Sequence, residues 1–154
     1  MKSKTYSSEM TLELHIEVFK NGDNPNQRSH WGFLLAKPEE DFGDLYHVQL
    51  IDQSTLWYQL AVREATTIKT RHAIGMCKIA RLNAGLRSKV VEIISNEPAP
   101  RGDKRRCQDW TIDVLASLEV EELIEAGTAE RWNKRVGMNV KDIAKDCGND
   151  WIEF

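Results

Sequence analysis

The sequence predicts an α+β fold in which helices cover an antiparallel sheet of about four to five strands. Three observations favour this class. Period-two alternation and short apolar runs fill the first half of the chain, helical spacing of apolar residues fills the second half, and the connections between the predicted strands are short and rich in turn-forming residues. Strands that come first and helices that follow are typical of helices packed on an antiparallel sheet.

The length of the chain predicts a single domain, because 154 residues suffice for one hydrophobic core. We predict a flexible N-terminus over residues 1–9 and one α+β domain over 10–154. Within it, a catalytic-type core spans about 10–118 and C-terminal helices span about 119–147. Hydrophobic residues at 41% and charged residues at 29% are typical of a globular protein.

The first strand is predicted from strict alternation between Met10 and Val18. One face carries apolar side chains, and the other carries Thr11, Glu13, His15 and Glu17. We interpret the polar face as exposed to solvent, with His15 as a surface histidine. The runs HWGFLLA, LYHVQLI and LWYQLAV predict the next strands, and a short strand is predicted near 73–79. Short connections predict that consecutive strands pair as an antiparallel meander.

Helical spacing begins after these strands. A helix is predicted over about 83–95, and Pro98 and Pro100 end it. A second helix begins at Cys107, where Trp110, Val114, Leu115 and Leu118 form its apolar stripe. Further helices are predicted in VEELIEAG, with Gly127 as its C-cap, and in TAERWNKRV and VKDIAKDC.

The composition excludes several classes of protein. A net charge of −3 argues against a general nucleic-acid binder, whose surface is usually basic. No signal-peptide pattern and no run of roughly 20 apolar residues is present, so we expect no membrane span and a cytoplasmic location. Three cysteines without a C-x-x-C pair predict free thiols, with Cys77 buried and Cys147 peripheral.

The candidate site consists of His30, His47 and Cys107. The two histidines lie on consecutive predicted strands, and Cys107 lies at a predicted helix start after a basic loop. A helix N-terminus and nearby cations favour a thiolate, and an imidazole within reach can accept its proton. Taken singly, each histidine is interpreted as a core residue bonded to a backbone carbonyl, and Cys107 as a small buried hydrophobe. A zinc site formed by the three residues is a further alternative.

Neighbouring residues are candidates for substrate binding. Gln108 is selected by its position in the first turn after Cys107, and Trp31 follows His30 directly. Arg106 belongs to the basic loop, which either recognises an anionic part of a substrate or is merely solvated. His72 is interpreted as a surface residue. We expect no cofactor and no resident metal.

The order of these motifs resembles a known group of enzymes. SHWGFLL, LYHVQLI and RCQDWTIDVL are similar to the H-W strand, the second histidine strand and the N-C-x-x-F/W helix of the circularly permuted papain-like superfamily, which includes the lecithin retinol acyltransferase-type enzymes. The similarity covers roughly residues 10–118. It is closer still to small, mostly uncharacterised fungal proteins with H-W and N-C-Q-D-W motifs. Arg106 replaces the usual Asn, and Asp109 replaces the His of the acyltransferases.

The resemblance implies Cys107 as nucleophile, His30 as general base and His47 as the group that orients His30. It predicts a cysteine-dependent acyl-transfer enzyme, hydrolase or acyltransferase, acting on an ester, thioester or amide in a small molecule or peptide, with or without an anionic group. The differences at Arg106 and Asp109 motivate an alternative, a non-catalytic binding module on the same fold. The substrate, the choice between hydrolysis and transfer, and the oligomeric state stay open.

Overall fold

One antiparallel sheet of six strands, packed with four helices, forms the described part of the computed structural model, which comprises residues 10–24, 26–102 and 104–154. The strands are β1 (Thr11–Phe19), β2 (His30–Ala36), β3 (Phe42–Asp52), β4 (Trp57–Thr67), β5 (Ala73–Asn83) and β6 (Trp151–Glu153). The helices are α1 (Arg87–Asn96), α2 (Cys107–Val120), α3 (Thr128–Asn133) and α4 (Val140–Cys147). The α+β class is confirmed, and the sheet has more strands than the four to five predicted because the C-terminal WIE segment also pairs.

The strand order is β4-β3-β2-β1-β5-β6. The first four strands form the predicted meander, whereas β5 crosses over to pair with β1 along its whole length. This crossover places β1 between two neighbours in the centre of the sheet. The predicted flexible segment over 1–9 lies outside the described residues.

The central position of β1 corrects the prediction for its polar face. His15 is 1% exposed and Glu17 is 2% exposed, whereas the alternation predicts a solvated face. His15 lies between Leu34 of β2 and Lys78 of β5, and Glu17 lies between Gly32 and Met76. Both residues are therefore flanked by strands on each side, and Leu34 and Met76 beside them belong to a small apolar cluster. The strict alternation itself is confirmed.

The opposite face of the sheet packs on the helices. Trp110 of α2 contacts Phe33 with ring centroids 5.7 Å apart, and Trp132 of α3 contacts Trp31 at 5.1 Å. The helices that follow Leu118 thus pack on the main core, where Ile143 of α4 is also fully buried. No helix within the described ranges is both long and apolar enough to cross a membrane.

The predicted helix in VEELIEAG is absent. Helix α2 ends at Val120 because Glu122 adopts a φ of 57°, and the Leu123 N–H donates to the Leu118 carbonyl at 3.0 Å. This backbone arrangement closes the last turn of a helix. Leu123 and Ile124 then fold back into the core, so they are not part of a helical stripe. Gly127, predicted to end this helix, instead precedes α3 with a φ of 92°.

Candidate active site

Two histidines on neighbouring strands form a hydrogen-bonded pair. His30 is the first residue of β2, and His47 lies in the middle of β3. His30 Nε2 and His47 Nδ1 are 2.7 Å apart, and their rings meet nearly edge to face. The antiparallel pairing of β2 and β3 produces this contact, because it aligns the two side chains on the same face of the sheet.

Cys107 is the first residue of α2, as predicted. The Asp109 carboxylate caps the helix by accepting a hydrogen bond from the Arg106 N–H at 2.8 Å, so the residue that departs from the acyltransferase pattern has a structural role here. The backbone N–H groups of Trp31 and Gln108 hydrogen-bond to the Cys107 sulfur. The thiol is therefore held next to the chain neighbour of His30.

Burial keeps both imidazoles neutral. It lowers the pKa of His30 to about 4, with smaller contributions from His47 and from the charge on Lys20. It lowers the pKa of His47 to about 4 as well, assisted by Arg63. At neutral pH each ring therefore has one unprotonated nitrogen. A neutral imidazole can accept a proton, which is the first requirement of a general base.

The Cys107 thiol is also neutral in the resting protein. Burial raises its pKa, and this effect outweighs the hydrogen bonds from the Trp31 and Gln108 N–H groups, which act in the opposite direction. The expectation that the helix start and the basic loop would favour the thiolate is therefore wrong for the resting site, because the residue is only 9% exposed. At rest the site therefore contains a neutral thiol and two neutral imidazoles.

All three residues line one cavity of about 690 Å³, where the first residues of β2 approach the start of α2. A volume of this size accommodates a small ligand. Its walls also include Phe19, Lys20, Asn26, Gln27, Arg28, Ser29, Leu45, Val48, Gln49, Leu50, Tyr58, Arg63, Thr70, His72, Arg106 and Gln108. The structure therefore brings together the three residues that the sequence singled out.

The charged residues on the described cavity wall are all basic. Lys20, Arg28, Arg63 and Arg106 line it, and no carboxylate does, although the whole chain has a net charge of −3. Only Arg106 of these four comes from the basic loop that the sequence suggested as an anion site. Its neighbour Arg105 instead forms an ion pair with Asp113 on α2.

The other predicted substrate-binding residues lie elsewhere or are already bonded. Trp31 is fully buried, is not part of the cavity wall, and donates from its indole N–H to Ser29 Oγ at 3.1 Å. Gln108 is also fully buried. Its amide nitrogen donates to the Ser29 carbonyl at 2.9 Å, and its amide oxygen accepts from the Gly137 N–H at 2.9 Å. The amide nitrogen also donates to Ser29 Oγ at 3.3 Å, so the Gln108 side chain joins α2 to two other segments and has no free donor for a substrate.

Tyr58 is a cavity residue that the sequence interpretation missed. It lies at the start of β4, is 7% exposed, and has its pKa raised by burial and by the proximity of Cys107. A phenol beside the nucleophile can donate a hydrogen bond to an anionic intermediate. Its only signal in the sequence is the alternation of WYQLAV, which cannot distinguish a cavity wall from a core.

The remaining cysteines lie outside the cavity, and His72 lies at its rim. Cys77 is buried as predicted, whereas Cys147, predicted to be peripheral, is buried against it at the end of α4. His72 is exposed at the cavity rim. Within the described ranges, no three His, Cys, Asp or Glu side chains are grouped as metal ligands, so the zinc alternative lacks a ligand set there.

Comparison with sequence profiles of protein families gives one match. Residues 16–125 match a family of unknown function, DUF6540. The matched region extends from β1 to the turn after α2 and contains His30, His47 and Cys107. Neither a search of curated proteins nor a search of solved structures finds a match.

Proposed function

The chain belongs to DUF6540, a family of unknown function, and we propose that it is a cysteine-dependent acyl-transfer enzyme. One observation carries the proposal: a free thiol at a helix start and a hydrogen-bonded pair of neutral imidazoles line the same cavity. A nucleophile, a base and a group that orients the base are the three components of this chemistry.

The reaction begins with a neutral thiol. As the Cys107 sulfur attacks the acyl carbonyl, its proton passes to His30 and a sulfur–carbon bond forms. Backbone N–H groups at the start of α2, together with the Tyr58 hydroxyl, stabilise the oxyanion. When the tetrahedral intermediate collapses, the bond to the leaving group breaks and His30 returns the proton to that group. Water or another acceptor then attacks the acyl-enzyme, with His30 again acting as base.

The fold that we propose for this chemistry is the circularly permuted papain-like arrangement. In support, histidines on two consecutive strands precede a helix that begins with the cysteine, and all three residues line one cavity. The order His30, His47, Cys107 is the order in the acyltransferases that the sequence resembles.

The basic cavity wall supports an acyl donor that carries an anionic group. Lys20 and Arg63 lower the pKa values of His30 and His47, respectively. An anionic substrate bound between these cations would offset their charge and raise the basicity of the imidazoles. Substrate binding would thereby prepare His30 to take the thiol proton.

The acyl-enzyme itself is the first test. Incubation with a small activated ester should add one acyl group to Cys107, as measured by intact-protein and peptide mass spectrometry. Cys107→Ser should abolish the adduct, because serine is far less nucleophilic. Cys77→Ser, which removes a buried thiol outside the cavity, is the matched control and should leave the adduct unchanged. Acylation at Cys77 or Cys147 instead would contradict the proposal.

The charge of the cavity is tested by two alkylating reagents of similar size. At low salt, we expect the ratio of iodoacetate to iodoacetamide rates at Cys107 to exceed the ratio for N-acetylcysteine by roughly tenfold, because cations attract the anionic reagent. Salt and the Lys20→Gln, Arg63→Gln double variant should lower it. Lys89→Gln and Lys141→Gln together provide a control of equal charge. A ratio equal to that of N-acetylcysteine would rule out the anionic preference.

A non-catalytic binding module is the second candidate. The observation that favours it is the burial of Cys107, which raises the thiol pKa as burial does for an inert structural cysteine. This candidate predicts that no acyl group is transferred to Cys107 from any activated ester. The mass-spectrometric experiment therefore separates the two functions.

A further inference from the structure

Two buried polar atoms on one face of the sheet have no hydrogen-bond partner among the described residues. They are His47 Nε2 and Glu17 Oε2, and a third such atom, His15 Nδ1, lies on the same face. A buried polar group without a partner costs stability, so each of these atoms indicates a missing interaction. Glu17 has no role in the mechanism above, and the residue is only 2% exposed.

Gly32 lies between these two side chains. Glu17 of β1 pairs directly with Gly32 of β2. A Cβ atom added to Gly32 would lie 3.2 Å from His47 Cβ and 2.9 Å from Leu45 Cδ1, so His47 follows on the same face. Glu17, Gly32 and His47 thus form a row across three strands, and the middle position has no side chain. Two strand spacings, roughly 10 Å, are within the combined reach of the outer side chains when one water lies between them.

The chemistry of the histidine pair assigns the proton on His47. For His30 to accept the thiol proton at Nδ1, its Nε2 must carry hydrogen and donate to His47 Nδ1 across the 2.7 Å contact. Neutral His47 then carries its own hydrogen on Nε2. That N–H is a donor, and the carboxyl oxygen beyond Gly32 is an acceptor.

We propose that Glu17 is a positioning residue for the nucleophile, because its carboxyl oxygen accepts a hydrogen bond from His47 Nε2–H through one bridging water and so fixes the tautomers of both histidines. This inference rests on the proposed function for its link to Cys107. The resulting order is Glu17, His47, His30 and Cys107. Glu17 contacts no reacting atom in it.

Other groups that face Glu17 are few. His15 lies two residues earlier on β1, Lys78 of β5 pairs with His15, and Met76 pairs with Glu17 itself. His15 Nε2 lies 3.6 Å from Glu13, which leaves His15 Nδ1 as the competing partner for Glu17. Burial raises the pKa of Glu17 to about 8, so the group is a neutral acid at neutral pH, and its carbonyl oxygen still accepts.

The test combines NMR spectroscopy with acylation rates. Nitrogen-15 shifts of the imidazoles report which nitrogen of His47 carries hydrogen, in the absence of any substrate. In the wild type we expect Nε2–H. Glu17→Leu should populate the Nδ1–H form of His47 and lower the acylation rate of Cys107 by about tenfold. Glu17→Gln keeps a carbonyl acceptor and should restore both. Glu13→Gln, on the same strand face but opposite Ala36, is the matched control.

Each outcome decides the inference. Glu17→Leu should lower the acylation rate tenfold in the wild-type background but not in the His30→Ala background, which would support action through the histidines. A loss that persists in that background, or a His47 tautomer unchanged by Glu17→Leu, would overturn it, as would a response confined to His15. If Glu17→Leu fails to fold, the tautomer of His47 in the other proteins decides. The Nδ1–H form in the wild type would overturn the inference. The Nε2–H form in the wild type, kept in Glu17→Gln and Glu13→Gln, would support it. If Glu17→Leu changes the His47 tautomer but no acyl-enzyme forms on Cys107, the proposed function is refuted and the contact between Glu17 and His47 is still supported.

Discussion

Replacing His30 with alanine should lower the second-order rate of Cys107 acylation at pH 7 by about 10³-fold, because general-base catalysis contributes on this order. The wild-type rate should fall as the pH falls through about 4, where His30 becomes protonated and can no longer accept a proton. Above that pH we expect a plateau, since the raised pKa of the thiol delays its ionisation. Stopped-flow kinetics with an activated ester over a pH series measures both features.

In His30→Ala the acid limb should disappear, and the remaining rate should rise with pH as the thiolate forms without assistance. His72→Ala is the control, because His72 lines the same cavity but is exposed. The ultraviolet band of a thiolate should be absent from the wild type at neutral pH, in agreement with a neutral resting pair. A strong band that Cys107→Ser removes would show an ion pair instead, and would contradict the neutral assignment.

Trp110→Ala should destabilise the protein by about 3–5 kcal/mol, because it removes one of the largest buried side chains of the core. Trp110 is 1% exposed, packs edge to face on Phe33, and donates from its indole N–H to the Glu97 carbonyl at 3.2 Å. The loss therefore combines a cavity beneath α2 with an unpaired carbonyl at the end of α1. Urea unfolding followed by circular dichroism measures the difference in the free energy of unfolding.

Two further variants separate the contribution of packing from that of the hydrogen bond and provide an exposed control. Trp110→Phe keeps most of the packing and removes the hydrogen bond, so we expect a cost of about 1–2 kcal/mol. Val120→Ala lies on the same helix at an 80% exposed position and should change stability by less than about 0.5 kcal/mol. A Trp110→Ala effect as small as that of Val120→Ala would mean that α2 does not pack on the sheet through this face.

Local patterns predicted most of the elements. The alternation in β1, the apolar runs of β2 and β3, and the helix start at Cys107 all reflect interactions between residues close in sequence. The pairing of β5 with β1 is not local, and no pattern in either strand specifies it. The end of α2 was mispredicted for a related reason, since the burial of Leu123 and Ile124 depends on the core to which they return.

For the candidate site, the sequence singled out His30, His47 and Cys107, which line one cavity, but mispredicted the protonation of Cys107. A helix start and adjacent basic residues suggested a thiolate, whereas burial, which depends on the whole fold, sets the protonation of Cys107. Glu17 was hidden for the same reason. On a single strand it looks like a solvated carboxylate, and only the neighbours on both sides of β1 make it a buried acid.

The crossover of β5 has a consequence for the order in which the chain can fold. The hairpins of β1, β2 and β3 bring residues together that are close in sequence, so the histidine pair can form early. The pairing of Thr11 with Asn83 closes a far longer loop, which is entropically slower. Helix α2 lies further along still. We therefore expect the thiol to join its imidazole late, so that partly folded chains carry no reactive centre.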